Sequence, residues 1–80
     1  MLKKNNVVIK TPFIKVDQFL KWQNITSSGG ESKILIEAGK VSVNEEVELR
    51  RGRKLIPGDR IFVDEQHFVI LTAPKGGPED

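Results

Sequence analysis

Ser28-Gly29-Gly30-Glu31-Ser32-Lys33-Ile34-Leu35-Ile36-Glu37-Ala38-Gly39-Lys40-Val41-Ser42-Val43 contains a helical period and a strand period side by side. Its first four residues have the S-x-x-E form of a capping box, in which the serine hydroxyl accepts from the glutamate backbone and the glutamate reaches back. Ser32, Leu35 and Ile36 follow at helical spacing, and Gly39 stands where a left-handed C-terminal cap is expected. The reading is a helix over residues 30–38. After Gly39 the period falls to two, with Val41 and Val43 alternating against Lys40 and Ser42, as in a strand.

Toward the N-terminus, Val16, Phe19 and Leu20 recur at i, i+3 and i+4, and Asp17 suits the positive end of a helix macrodipole. A first helix is expected over residues 16–23. Val7-Val8-Ile9 has the β-branched character of a short strand that Pro12 ends, and residues 1–6 read as a frayed end. Toward the C-terminus, Asn44-Glu45 is a tight-turn candidate, and Val47 and Leu49 continue a return strand. Pro57-Gly58-Asp59 is a turn, Ile61-Phe62-Val63 a strand, residues 64–66 another turn, and residues 67–71 a last strand. Residues 72–80, with two prolines and two glycines, read as a disordered tail. The expectation is one α+β domain over residues 1–71, with two adjacent helices packed on a small antiparallel sheet.

Composition narrows the function. A chain of 80 residues buries only about 60% of its unfolded surface, which leaves little apolar material for a deep active site. Cysteine is absent and His67 is the only histidine, so thiolate-metal sites and disulfides are excluded and no metal or cofactor is expected. No Ser-His-Asp spacing or catalytic carboxylate pair is evident, and His67 reads as an ordinary strand residue. Apolar runs are far shorter than the roughly 20 residues of a membrane span, and no long apolar leader opens the chain. A soluble, cytoplasmic, monomeric, non-enzymatic protein is expected.

The charge total of +2 conceals a local feature: four of the five residues from Arg50 to Lys54 are basic, directly after Glu45, Glu46 and Glu48. Arg50, Arg51, Arg53 and Lys54, displayed from one loop, could neutralise several phosphates and release counterions. Lys15, Lys33 and Lys40 could extend that surface. Lys33 also fits an i,i+4 pair with Glu37, and Lys40 a favourable place at a helix C-terminus. Ser27 and Ser28 open a helix whose N-terminal amides could meet a phosphate, although the capping box alone explains Ser28 and Glu31. Trp22 could stack on an unpaired base, but a lone tryptophan at helical spacing is more often packing.

These residues also carry a family resemblance. Lys15-Val16-Asp17-Gln18-Phe19-Leu20 is similar to an Arg-Leu-Asp-x-x-Leu pattern, and Lys33 to Gly39 to Ala-Arg-x-Leu-Ile-x-x-Gly. Lys40-Val41-Ser42-Val43-Asn44 and Leu55-Ile56-Pro57-Gly58-Asp59-Arg60-Ile61 look like G-x-V-x-V-N-G and V-x-x-G-D-x-I. Together they resemble the S4 RNA-binding domain, and the short length with Arg50-Arg51-Gly52-Arg53-Lys54 looks most like its free-standing YaaA-type members. Gly29, Ser32 and Glu45 depart from the family's usual arginine, alanine and glycine. The resemblance implies binding of structured RNA, with ribosomal RNA or a ribosomal particle as partner. A different reading comes from Gly76-Gly77, a pair that ends ubiquitin-like carriers. Pro78-Glu79-Asp80 follow it, so such a carrier or interaction module would need processing.

Overall fold

Backbone pairing at the N-terminus extends well past the apolar residues that suggest it. In the computed structural model, which describes residues 3–73, the first strand β1 is Lys3–Ile9, with Lys3 to Asn6 included. These polar residues are not frayed, because main-chain hydrogen bonding to a neighbouring strand is indifferent to side-chain polarity at a sheet edge. The neighbour is the last strand, β7 (Gln66–Thr72), which β1 meets in parallel register from Lys3 opposite Gln66 to Ile9 opposite Thr72.

The other elements follow the periods closely. After a two-residue strand β2 (Ile14–Lys15), helix α1 is Val16–Trp22 and helix α2 is Gly29–Glu37. Gly39 has φ 77° just beyond α2, the left-handed conformation that glycine adopts without a Cβ penalty. Then come β3 (Val41–Val43), β4 (Glu46–Val47), β5 (Lys54–Leu55) and β6 (Arg60–Val63). The main sheet has the order β1-β7-β6-β3-β4, and β2 pairs with β5 in a separate two-stranded sheet. The sheet is therefore mixed rather than wholly antiparallel, since β1 joins in parallel while the remaining pairs are antiparallel. Thr72 belongs to β7, one residue beyond the expected domain limit; the rest of the expected tail, from residue 74 and including Gly76 and Gly77, lies outside the described residues.

Both hairpin turns of the main sheet use left-handed residues. Asn44 and Glu45 (φ 53° and 72°) join β3 to β4, while Asp64 and Glu65 (φ 53° and 60°) join β6 to β7. Two positive-φ residues in succession match the right-handed strand twist, which is why asparagine and aspartate lead each turn. The Asp59 carboxylate ties one hairpin to the Pro57-Gly58 turn. It accepts from the Ile56 amide at 2.9 Å and from Asn44 Nδ2 at 3.0 Å, and Asn44 Oδ1 accepts from the Arg60 amide at 3.0 Å.

One face of the sheet and the helices enclose the core. Val16, Phe19 and Leu20 of α1 and Ile36 of α2 are buried with Val7, Ile9, Val41, Val43, Leu55, Ile61, Val63, Phe68 and Ile70. Phe19 meets Phe68 edge-to-face at 5.2 Å. Each large apolar side chain so buried contributes about 1.5–3 kcal/mol of gross stabilisation. Between the helices, Ser32 supplies hydrogen bonds where an apolar residue would supply only contact. Its hydroxyl lies 2.6 Å from that of Thr26 and 3.3 Å from the Asp17 carbonyl, which holds the second turn of α2 to the first turn of α1.

Candidate nucleic-acid interface

A helix leaves its first amides without intrahelical partners, and in α1 the basic loop meets that need. The Val16 and Asp17 amides donate to the carbonyls of Arg53 and Arg51 at 2.9 and 3.2 Å. Loop backbone is thereby fastened to the helix while the side chains point elsewhere. The short β2–β5 pairing adds a second tie, setting Lys15 opposite Lys54 and Ile14 opposite Leu55. Lys54 Nζ rests 4.7 Å above the Phe13 ring, a cation–π contact worth about 0.5–1 kcal/mol at an exposed site.

Glu48 sets the geometry of the two arginines at either end of the loop. Its side chain is only 6% exposed, although it lies between Val47 and Leu49, which are both exposed. The expected alternation is inverted here: the carboxylate turns inward and the apolar neighbours turn out, and Leu49 falls outside β4. Burial is tolerable because the charge is paired and hydrogen-bonded. Oε2 accepts from Arg50 Nε and from the Arg50 amide, each at 2.9 Å, while Oε1 accepts from Arg50 Nη2 at 3.2 Å and Arg53 Nη1 at 2.9 Å. The Arg50 hydrogen bond, chiefly, and that of Arg53 hold the Glu48 carboxyl at about 2, against burial, which acts in the opposite direction.

The positive loop thus keeps most of its charge. One carboxylate serves two guanidinium groups, and Arg51 and Lys54 make no ion pair among the described residues. Glu45 pairs instead with Arg60 at 3.2 Å. Lys15, Arg50, Arg51 and Lys54 are all exposed, and Arg53 is partly so.

The remaining candidates differ in setting. Lys33 is exposed on α2 directly after Ser32, which contacts α1, and it forms no ion pair with Glu37. Lys40 precedes Val41, whose carbonyl accepts the Glu48 amide, so its backbone is close to the loop entrance. Its side chain, however, lines a hollow of about 770 Å³ with Asp64, Glu65 and the apolar residues Ile25, Ile34, Leu35 and Ala38. Ser27 and Ser28 are engaged locally. Glu31 Oε1 accepts from the Ser27 amide and hydroxyl at 2.7 and 2.9 Å, and Ser28 Oγ accepts from the Glu31 amide at 3.2 Å. Glu31 reaches one residue past the usual capping-box position, and the Ser27 amide chiefly lowers its carboxyl below the ordinary value. Both serines are thus tied to Glu31 at the start of α2.

His67 lies in β7 stacked on Phe62 at 4.2 Å. Among the described residues, no group of three or more histidines, cysteines or carboxylates could hold a metal ion, and no helix is long and apolar enough to cross a membrane. Two features escape a reading of sequence alone: the Glu48 clamp and the exposure of Trp22. Arginines two and five residues after Glu48 were the available signal for the first.

Comparison with known proteins agrees with the architecture. The S4 domain family matches residues 7–71. The chain is also similar to the probable ribosome maturation protein RlbA of Bacillus subtilis (strain 168), with 40% identity over 60 residues, covering 75% of this chain and 84% of that protein. With two helices against a five-stranded sheet and a match that spans nearly all the ordered elements, the chain belongs to the S4 domain family.

Proposed function

We propose that the protein is a non-catalytic RNA-binding domain that recognises structured ribosomal RNA through the Arg50–Lys54 loop and the lysines of the adjoining helix ends. The observation that carries this reading is the fastening of the loop. The Arg51 and Arg53 carbonyls accept from α1 while Arg51 and Lys54 make no ion pair among the described residues, which supports cations presented on a scaffold already ordered before any ligand arrives. Membership of the S4 domain family supports RNA as the ligand, and the relative named for ribosome maturation supports a ribosomal particle as the place.

In this reading Arg51, Lys54 and Lys15 form the centre of the surface, with Arg50 and Arg53 held in a fixed orientation by Glu48. An arginine whose fork is partly used by a carboxylate still offers N–H groups to a phosphate. Lys33 extends the surface along α2. Lys40 contributes at its margin, and Ser27 and Ser28 act by holding the start of α2 in place.

Crosslinking in cells, followed by sequencing of the attached RNA, tests the proposal. Enrichment of discrete helical segments of ribosomal RNA is the expected result. Crosslinks spread across messenger RNA in proportion to abundance, or none above an Arg51→Glu/Lys54→Glu control, would contradict it.

A further inference from the structure

Trp22 closes α1 and is 49% exposed, an unusual place for the single tryptophan of a chain with a small core. The other aromatic rings are occupied. Phe19 and Phe68 are buried against each other, Phe62 stacks on His67, and Phe13 lies beneath the Lys54 ammonium. Trp22 has no ring or cation partner among the described residues. It forms one wall of an open hollow of about 370 Å³, shared with Val8, Ile9, Lys10, Thr11 and Ile14.

The chemistry of that hollow is specific. Among the described residues its walls are mainly apolar and aromatic, with Thr11 beside them, and Lys10 is the one charged residue that lines it. Ile14 connects it to the basic surface, since Ile14 is followed by Lys15, whose partner across the β2–β5 pair is Lys54. Lys15 is the N-cap of α1 and Trp22 its last residue, so the length of this one short helix, about 10 Å, separates their backbones. A polyanion held by Lys15 and Lys54 would pass beside the indole.

We propose that this hollow takes one unstacked nucleobase of the bound RNA, stacked on the Trp22 indole, with Lys10 placed to meet its phosphate. The inference rests on the RNA-binding reading and adds to it a requirement for an unpaired base next to the phosphates gripped by the loop. An aromatic face selects any base over none, because every base has a π-face. Phosphate contacts of the basic loop do not depend on pairing state. The two parts of the surface therefore discriminate different things, charge and strandedness.

The test compares an RNA hairpin carrying an unpaired loop with a fully paired duplex of the same stem, by fluorescence anisotropy and by the intrinsic emission of Trp22. The hairpin is expected to quench that emission and the duplex to leave it nearly unchanged. Trp22→Ala is expected to weaken hairpin binding roughly tenfold or more, the scale of one base–aromatic stack, and to leave duplex binding within about twofold. Trp22→Phe should restore much of the loss. A matching urea midpoint shows that the variants fold, and the emission of the unaltered protein gives a readout needing no variant. Hairpin binding with no change in emission, or equal losses for hairpin and duplex in Trp22→Ala, would overturn the proposal. Absence of binding to either RNA would instead overturn the RNA-binding reading, and this inference with it.

Discussion

Glu48 Oε1 and Arg53 Nη1 lie 2.9 Å apart, joining the one buried carboxylate of the β4 region to the far end of the basic loop. Arg50, at the near end of the loop, is bound by the same carboxylate. Arg50 is 75% exposed and Arg53 28%, so water and Glu48 share the first guanidinium while the second is mostly enclosed. The acid that the sequence suggests as a neutralising charge is thus the anchor of the cationic loop.

Removing that anchor should cost stability, because the Arg50 guanidinium can turn to water while the mostly enclosed Arg53 loses its carboxylate. Glu48→Ala is expected to destabilise the domain by about 1–3 kcal/mol in urea unfolding. A change below a few tenths would show that the arginines do not depend on it.

The same carboxylate gives acid sensitivity of known sign. Its folded pKa, about 2, lies below the ordinary 4.5, so its contribution is fully present above about pH 4.5 and is lost as pH falls toward 2. The urea midpoint should fall across that window in the native protein. In Glu48→Gln the fall should be smaller, which a series of unfolding curves from pH 6 to pH 2 would show.

Ser32 joins Thr26 to the Asp17 carbonyl in a small polar cluster between the helices. Ser32→Ala leaves the Thr26 hydroxyl buried without its partner and is expected to cost about 1–2 kcal/mol. Ser32→Ala/Thr26→Val, which removes both hydroxyls, should recover part of that loss, since the Asp17 carbonyl still lacks the Ser32 donor. A double-mutant cycle with no coupling would mean that the 2.6 Å contact contributes nothing.

Glu65 sits at φ 60° in the β6–β7 turn, where glycine avoids the left-handed Cβ penalty. Glu65→Gly should therefore stabilise by about 0.5–1 kcal/mol, read as a rise in the thermal midpoint. A drop would indicate that the Glu65 side chain makes a contribution larger than the strain.

Helix limits were legible because their signals are local: Ser28 caps through Glu31, and Gly39 takes the left-handed turn that ends α2. The alternation of Val41 with Val43 and the two polar turns were legible for the same reason. The strand character of Lys3 to Asn6 was hidden, since an edge strand is fixed by backbone pairing with β7, more than 60 residues away. Pairing of Ile14 with Leu55 was hidden likewise. Glu48 misleads because alternation favours Val47 and Leu49 as the inward pair, and only the two arginines make the reverse arrangement possible. Trp22 reads as packing because its spacing puts it one turn beyond Phe19. The core is filled without it.

The claim on which the rest depends is that the exposed cations of the loop grip RNA phosphates. Binding of a ribosomal RNA fragment measured across a salt series tests it most directly, comparing the native protein with Arg51→Glu/Lys54→Glu. About four phosphate contacts correspond to a slope of log K against log salt of roughly −3 to −3.5, and the variant should lose affinity together with about 2 units of that slope. A salt-independent affinity, or a charge-reversed protein that binds as tightly as the native one, would contradict the account.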